Sequence, residues 1–300
     1  MERIFDPATQ IFLNLIVNLQ KGTIQMPNKK LKEEHQIYIN KWKNNAETFD
    51  AQKCYSWMAQ KISTNQKKLI LDIGCGDGTG LQALLSENDK LKIIAIDENI
   101  DCLKETQRKF SSQGFGTELI ERCDLIYDNK YHGYNFKSID KLPEQQITLI
   151  HSDLLSDPYI EPYLNSIGKF DAITIWLIGT HTERRHCMNI FPLNITSDAQ
   201  YRLSVQNKAY ELADEILIAG GILQIVDRGQ APNTELLKDD IINAHKDQAS
   251  VTTLEVFDLD YMIYNEPINK SSVQMKTSVG GVFSEHNLSE LAMTSILARK

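Results

Sequence analysis

The residues best suited to hold a polar ligand are three acids and a run of glycines. Asp72-Ile-Gly74-Cys75-Gly76-Asp77-Gly78-Thr79-Gly80 places an acid ahead of four glycines at alternate positions. Glycine takes positive φ and leaves no Cβ between backbone and ligand. Asp97-Glu98 closes a second apolar run nineteen positions beyond Gly78, and Asp153-Leu154 follows a third. A carboxylate at the end of a second parallel strand can accept both hydroxyls of a ribose cis-diol. That chemistry is the binding of a nucleotide-like ligand.

These residues need elements to position them. Leu69 to Ile73 is a short apolar run, the mark of a strand buried on both faces. Leu81, Leu84 and Leu85 then resume helical spacing, and a helix N-terminus behind the glycines adds free N–H groups and partial positive charge. Further strands are expected at 92–97, 147–151, 172–178, 222–229 (running straight on from a helix end at Gly220-Gly221), 251–264 and 291–300, with helices at 101–111, from 198 and at 234–247. Ser271 to Phe283 reads as an added strand or hairpin with no fixed place. Before the first strand, Asp6-Pro7 starts a helix running to about Gln20, Met26-Pro27-Asn28 makes a loop, and helices follow at 31–44 and 50–62. Residues 1–66 therefore form a helical cap. Tyr38, Trp42, Tyr55 and Trp57 sit within it, either as core or as pocket lining.

The glycine loop excludes two common ligands. A dinucleotide fingerprint G-x-G-x-x-G counted from Gly74 needs glycine at 79, which is Thr79, and no Gly-Lys-Ser/Thr phosphate loop exists. The remaining pattern, Asp-x-Gly-x-Gly-x-Gly, resembles motif I of the class I S-adenosylmethionine (SAM)-dependent methyltransferases. The resemblance covers roughly residues 67–300. It implies a Rossmann-like α/β fold with a seven-stranded, mostly parallel sheet sandwiched by helices. It implies SAM as cofactor, with Asp72, Gly74, Cys75, Gly76 and Gly78 at its methionine end. Asp97, with Glu98 beside it, matches the ribose-binding acid. Asp153 would take the adenine amino group and Leu154 would pack on the ring; Asp124 is the rival acid. Residues 112–146 then become an insertion. Trp176 to His181, beyond the fourth strand, would border the transferred methyl.

The stretch after that strand departs from several subfamilies. It has no Asn/Asp-Pro-Pro-Tyr/Phe signature, no magnesium-binding acid and no Pro-Cys pair. It offers Gly179-Thr-His181-Thr-Glu183-Arg-Arg-His186-Cys187. His181 is either a general base for transfer to oxygen or an exposed loop histidine. The spacing of His181, His186 and Cys187 is not that of a zinc site, so no metal is expected. Arg184-Arg185 pairs either with a substrate anion or with solvent. The reading is methyl transfer to O or N of a small-molecule acceptor. Protein or RNA acceptors, and a SAM-binding partner subunit without catalysis, are the alternatives. An aminopropyltransferase is disfavoured because its paired acids are missing.

Composition agrees with a globular enzyme: 300 residues, 42% hydrophobic and 24% charged. Net charge is −8; residues 1–70 hold eleven Lys/Arg against six Asp/Glu, so that stretch is +5 and the rest −13. That acidic body disfavours nucleic acid as a partner. The five cysteines are scattered with no C-x-x-C pair, which suits reduced thiols and a cytoplasmic location. Ile11 to Leu19 is too short to span a membrane, and no membrane partner is expected. The apolar first helix could pair two copies as a homodimer.

Overall fold

Residues buried every three or four positions (Leu31, His35, Ile39, Trp42, Ala46 and Phe49) give one face of a long helix, α1 (Lys29–Ala51). The computed structural model describes residues 29–62, 66–128, 131–267, 277–279, 282–284 and 290–300. The helix expected at 7–20 and the loop at Met26 lie outside the described residues. Where two helices were expected at 31–44 and 50–62, the first continues to Ala51, because no proline or glycine interrupts its buried stripe. The chain breaks at Lys53, whose φ is +66°, and α2 (Cys54–Lys61) follows.

The body then alternates strand and helix: β1 (Leu69–Ile73), α3 (Thr79–Glu87), β2 (Lys92–Asp97) and α4 (Ile100–Ser112). Next come β3 (Thr117–Ile120), the hairpin β4 (Cys123–Asp128) and β5 (Tyr131–Phe136), and β6 (Ile147–His151). The second half holds α5 (Ile160–Ile167), β7 (Phe170–Trp176), two 3-10 turns (Thr182–His186 and Met188–Leu193) and α6 (Asp198–Ile216). It ends with β8 (Leu217–Gln230), α7 (Glu235–Ala249), β9 (Glu255–Ile263), the short pair β10 (Thr277–Val279) and β11 (Val282–Ser284), and β12 (Leu291–Arg299).

The sheet order is β3-β6-β2-β1-β7-β8-β12-β9, with only β12 reversed. It has eight strands where seven were expected. The extra one is β3, parallel to β6 at the edge, in the stretch read as an insertion. It belongs in the sheet because Leu119 reaches one core cluster and Ile120 the other. The same alternation explains β1. Ile70 packs on the side of α1 to α4, whereas Leu71 and Ile73 face α5 and α6, so a strand covered on both sides reads as continuous apolar sequence. β8 starts before its glycines, not after them. A register shift opposite Phe170 to Ala172 takes up the Gly220-Gly221 bulge.

One buried side chain ties α2 to the sheet. Buried Gln224 accepts from Trp176 Nε1 at 2.9 Å and donates to the Met58 carbonyl at 3.1 Å and to Ser295 at 3.0 Å. Gly78, at φ +78°, caps α3, and a Cβ there would lie 2.8 Å from Thr106 Cγ2 on α4. Gly78→Ala is therefore expected to lose about 1–2 kcal/mol to the left-handed backbone alone, and more to overlap, measured as a lower urea midpoint. An unchanged midpoint would contradict this packing.

Candidate functional site

Parallel strands in register end together. Asp97 of β2 lies opposite His151 of β6, and Trp176 of β7 opposite Val226 of β8. Side chains just past these positions meet in one cleft, lined by Gly74, Gly76, Asp97, Glu98, Asp153, Leu154, Ile178 and His181. α1 covers it with Tyr38 and Trp42, whose rings are parallel at 6.5 Å. Tyr201 and Val205, four apart on α6, close the other wall. Leu177, at φ +60°, turns the chain from β7 into the cleft. A β-region exit would be easier for leucine, and strain of this kind collects at functional sites.

Asp97 fastens the glycine loop. Its Oδ2 accepts from Gly76 N–H at 2.9 Å and its Oδ1 from Asn99 N–H at 2.8 Å. Burial pushes its carboxyl up to about 6, opposed by those two N–H groups. Asp153 Oδ1 accepts from Leu155 N–H at 3.0 Å, and Oδ2 from the Ser156 hydroxyl at 2.9 Å. Burial raises it too, to about 6. The rival Asp124 is exposed and pairs with Lys137 at 2.8 Å, outside the cleft.

Arg184 is the residue whose role the sequence left open, and it is neither exposed nor solvent-paired. Its side chain is 3% exposed and bridges two strand ends, pairing with Glu98 and, at 2.6 Å, with Asp153 Oδ2. Its guanidinium lies 4.2 Å from the Tyr201 ring centroid and also meets the Tyr201 hydroxyl. Arg185 is exposed. The β4–β5 hairpin holds the Arg184 segment in place. His132 bridges to Cys187, and Asn189 exchanges two hydrogen bonds with the Tyr134 backbone, at 2.7 and 2.9 Å.

His181 is buried rather than exposed. Its Nε2 lies 3.2 Å from His35 Nε2 and 3.4 Å from Glu98 Oε1. Burial lowers His181 to about 4, against the pull of Glu183, and lowers His35 to about 3, helped by His181 itself. Both rings are neutral at pH 7, and one must donate while the other accepts.

Other expected site residues stand elsewhere. Asp72 lies below the cleft and accepts from the Thr174 hydroxyl, with burial raising it to about 7. Cys75 is buried, with its thiol pushed well up by burial, and does not line the cleft. Gly78 meets α4, as described. Trp176 turns to the other face of the sheet, where its ring packs on Gly80 and Tyr55. Among the described residues, no group of three or more His, Cys, Asp or Glu is arranged to hold a metal ion. No described helix is long and apolar enough to cross a membrane.

His132 gives a pH prediction. It is 1% exposed, and neither ring nitrogen has a hydrogen-bond partner among the described residues. Burial lowers it to about 4, with the neighbouring His181 adding to the effect. A lowered histidine stabilises the fold fully above its unfolded value near 6.5, and that contribution is lost as pH falls toward the folded value. His132→Phe should thus lose about 2 kcal/mol less stability than wild type between pH 7 and pH 5. Parallel urea curves at the two pH values measure this, and equal losses would refute it.

No family model matches this sequence, and no curated protein matches it. Solved structures similar to it include an O-methyltransferase family protein from Burkholderia thailandensis, 14% identical. That match covers 86% of this chain and 58% of the other, with a TM-score of 0.43. A SAM-dependent O-methyltransferase from Thermotoga maritima is 13% identical over 83% of this chain and 64% of its own, with a TM-score of 0.40. TrmN from Thermus thermophilus is 12% identical over 81% and 48%, also with a TM-score of 0.40. The chain thus spans about half to two thirds of the length of these three structures.

Proposed function

We propose that this chain transfers a methyl group from SAM to an oxygen or nitrogen of a small-molecule acceptor. The observation that carries the reading is the convergence of the glycine loop with Asp97 and Asp153 in one strand-end cleft. The residues fit such a cofactor. Each Asp97 oxygen accepts a single N–H, so lone pairs remain for two ribose hydroxyls. Ile96 and Leu154 supply apolar walls for a purine. A Cβ on Gly179 would collide with the Tyr38 hydroxyl, so only glycine lets α1 close here. Asp97, the acid of the cleft that Arg184 does not pair with, suits a cationic ligand.

SAM, when bound, supplies a methyl already activated on a sulfonium. The chain's work is to bind, align and keep water out. The cleft holds about 70 Å³, against about 300 Å³ or more for ordinary small-ligand pockets. Tyr38 and Trp42 of α1 stand over it. Ligand entry requires α1 and the first 3-10 turn to move outward, and their return would seal the site. His181, neutral and in the wall, can take a proton from an acceptor hydroxyl. The enclosed cleft and the acidic charge of −8 favour a small acceptor.

The test is incubation with methyl-labelled SAM and a panel of phenols, catechols and amines, with total RNA and total protein in parallel. Label in a small molecule supports the reading. Label only in RNA or protein overturns the acceptor class. SAM binding without any labelled product would favour a partner subunit.

A further inference from the structure

A second cavity lies apart from this cleft, where α7 crosses β8 and β12. It holds about 350 Å³, within the range of small-molecule sites. The register of the two strands builds its floor. Ile225 stands opposite Ile296, and two residues on, Asp227 stands opposite Thr294. One face therefore carries an apolar rung beside a polar one, close enough for cross-strand side chains to act together. Leu237, Ile241 and Ala244 of α7 make the roof.

The polar groups in this cavity are incompletely used. Asp227 Oδ2 accepts from Gln206 at 2.5 Å, while Oδ1 has no hydrogen-bond partner among the described residues. His245 meets the Tyr210 hydroxyl through Nδ1 at 3.1 Å, and its Nε2 has no partner there. Burial lowers His245 to about 4, so its ring is neutral. Burial also raises Asp227, opposed by Gln206 and by the charges of Arg202 and Arg228. Neither arginine forms an ion pair with it. Arg228 also borders the cavity, but its guanidinium pairs with Glu266 at 3.0 Å and lies 5.6 Å from the Trp42 ring centroid. The cavity is thus a largely apolar groove that holds a half-buried carboxylate with no ion-pair partner among the described residues. A carboxylate so placed gains from a charge-assisted hydrogen bond.

We propose that this cavity is a small-molecule site for an amine carried on an apolar body. The ammonium meets Asp227 and the Thr294 hydroxyl, and the apolar part lies between the Ile225–Ile296 rung and α7. His245 Nε2 offers one further hydrogen bond. The site stands whether or not the methyl-transfer reading holds. It also has a route to the first cleft, because Gln206 on Asp227 is the neighbour of Val205 in the cleft wall.

The experiment is calorimetric titration with phenethylamine and with its neutral counterpart, phenethyl alcohol. Wild type should bind the amine at one site. Asp227→Asn should weaken the amine by about tenfold or more, the loss of one charge-assisted hydrogen bond, and leave the alcohol unchanged. Ala244→Trp, which fills the chamber, should remove both ligands, and Ala244→Phe serves if thermal melting shows the tryptophan variant unfolded. Equal affinity of the amine for wild type and Asp227→Asn would overturn the proposal. So would undiminished binding to a folded, cavity-filled variant, or no binding by wild type at about 1 mM amine.

Discussion

Asp97→Ala is expected to weaken SAM binding by about 1–3 kcal/mol, or about 5- to 150-fold. Two losses add. The ribose hydroxyls lose a charged acceptor, and the glycine loop loses its anchor, since Gly76 N–H and Asn99 N–H both donate to this carboxylate. Asp97→Asn separates them. An amide oxygen can still accept one N–H, so this variant should fall between alanine and wild type. Calorimetric titration of S-adenosylhomocysteine against the three proteins reads the series. Equal affinities across it would mean that Asp97 neither meets the ribose nor shapes the loop for binding.

Arg184→Met should cost the fold about 3–5 kcal/mol, the usual loss when one partner of a buried ion pair is removed. Glu98 and Asp153 would then share the cleft with no counter-charge; Asp153 is 2% exposed in its side chain and Glu98 18%. The methionine keeps most of the apolar contact with Tyr201, so the loss reports charge rather than packing. Adding Asp153→Asn to Arg184→Met should recover part of the stability, because one stranded carboxylate is removed. Urea unfolding of the single and double variants measures the coupling. A single variant within about 0.5 kcal/mol of wild type, the range of ordinary surface changes, would show that the guanidinium is not the link between the two strand ends.

How far the chain could be read depended on the distance over which each signal acts. The glycine loop, β1 and Asp97 were legible because strand, turn and acid are adjacent in sequence and carry distinct residue types. Thr117 to Ile126 has strand character in the sequence, but it competes with 147–151 for the place of the third strand; the sheet takes both, side by side. The sequence ends α1 early, at 44, because its stripe continues through polar Asn44-Asn45, and Asn45 is nonetheless buried. Trp176 was placed at the cleft from its position on the strand; alternation along β7 sends it to the opposite face. Arg184 was visible as a residue but not as a bridge. Its two acid partners lie 86 and 31 positions away, and only the sheet brings them together. Tyr201 and Val205 carried a faint signal, a pair four apart on the helix that follows the site loop.

One titration decides whether the strand-end cleft is a SAM site. Wild-type protein is titrated calorimetrically with SAM, with a thermal melt confirming that it is folded. The expected result is a single site with a Kd of about 1–100 μM and a raised melting temperature in the ligand's presence. A folded protein that gives no heat and no shift at millimolar SAM would contradict it, and the glycine loop would then serve only to pack α3 against α4.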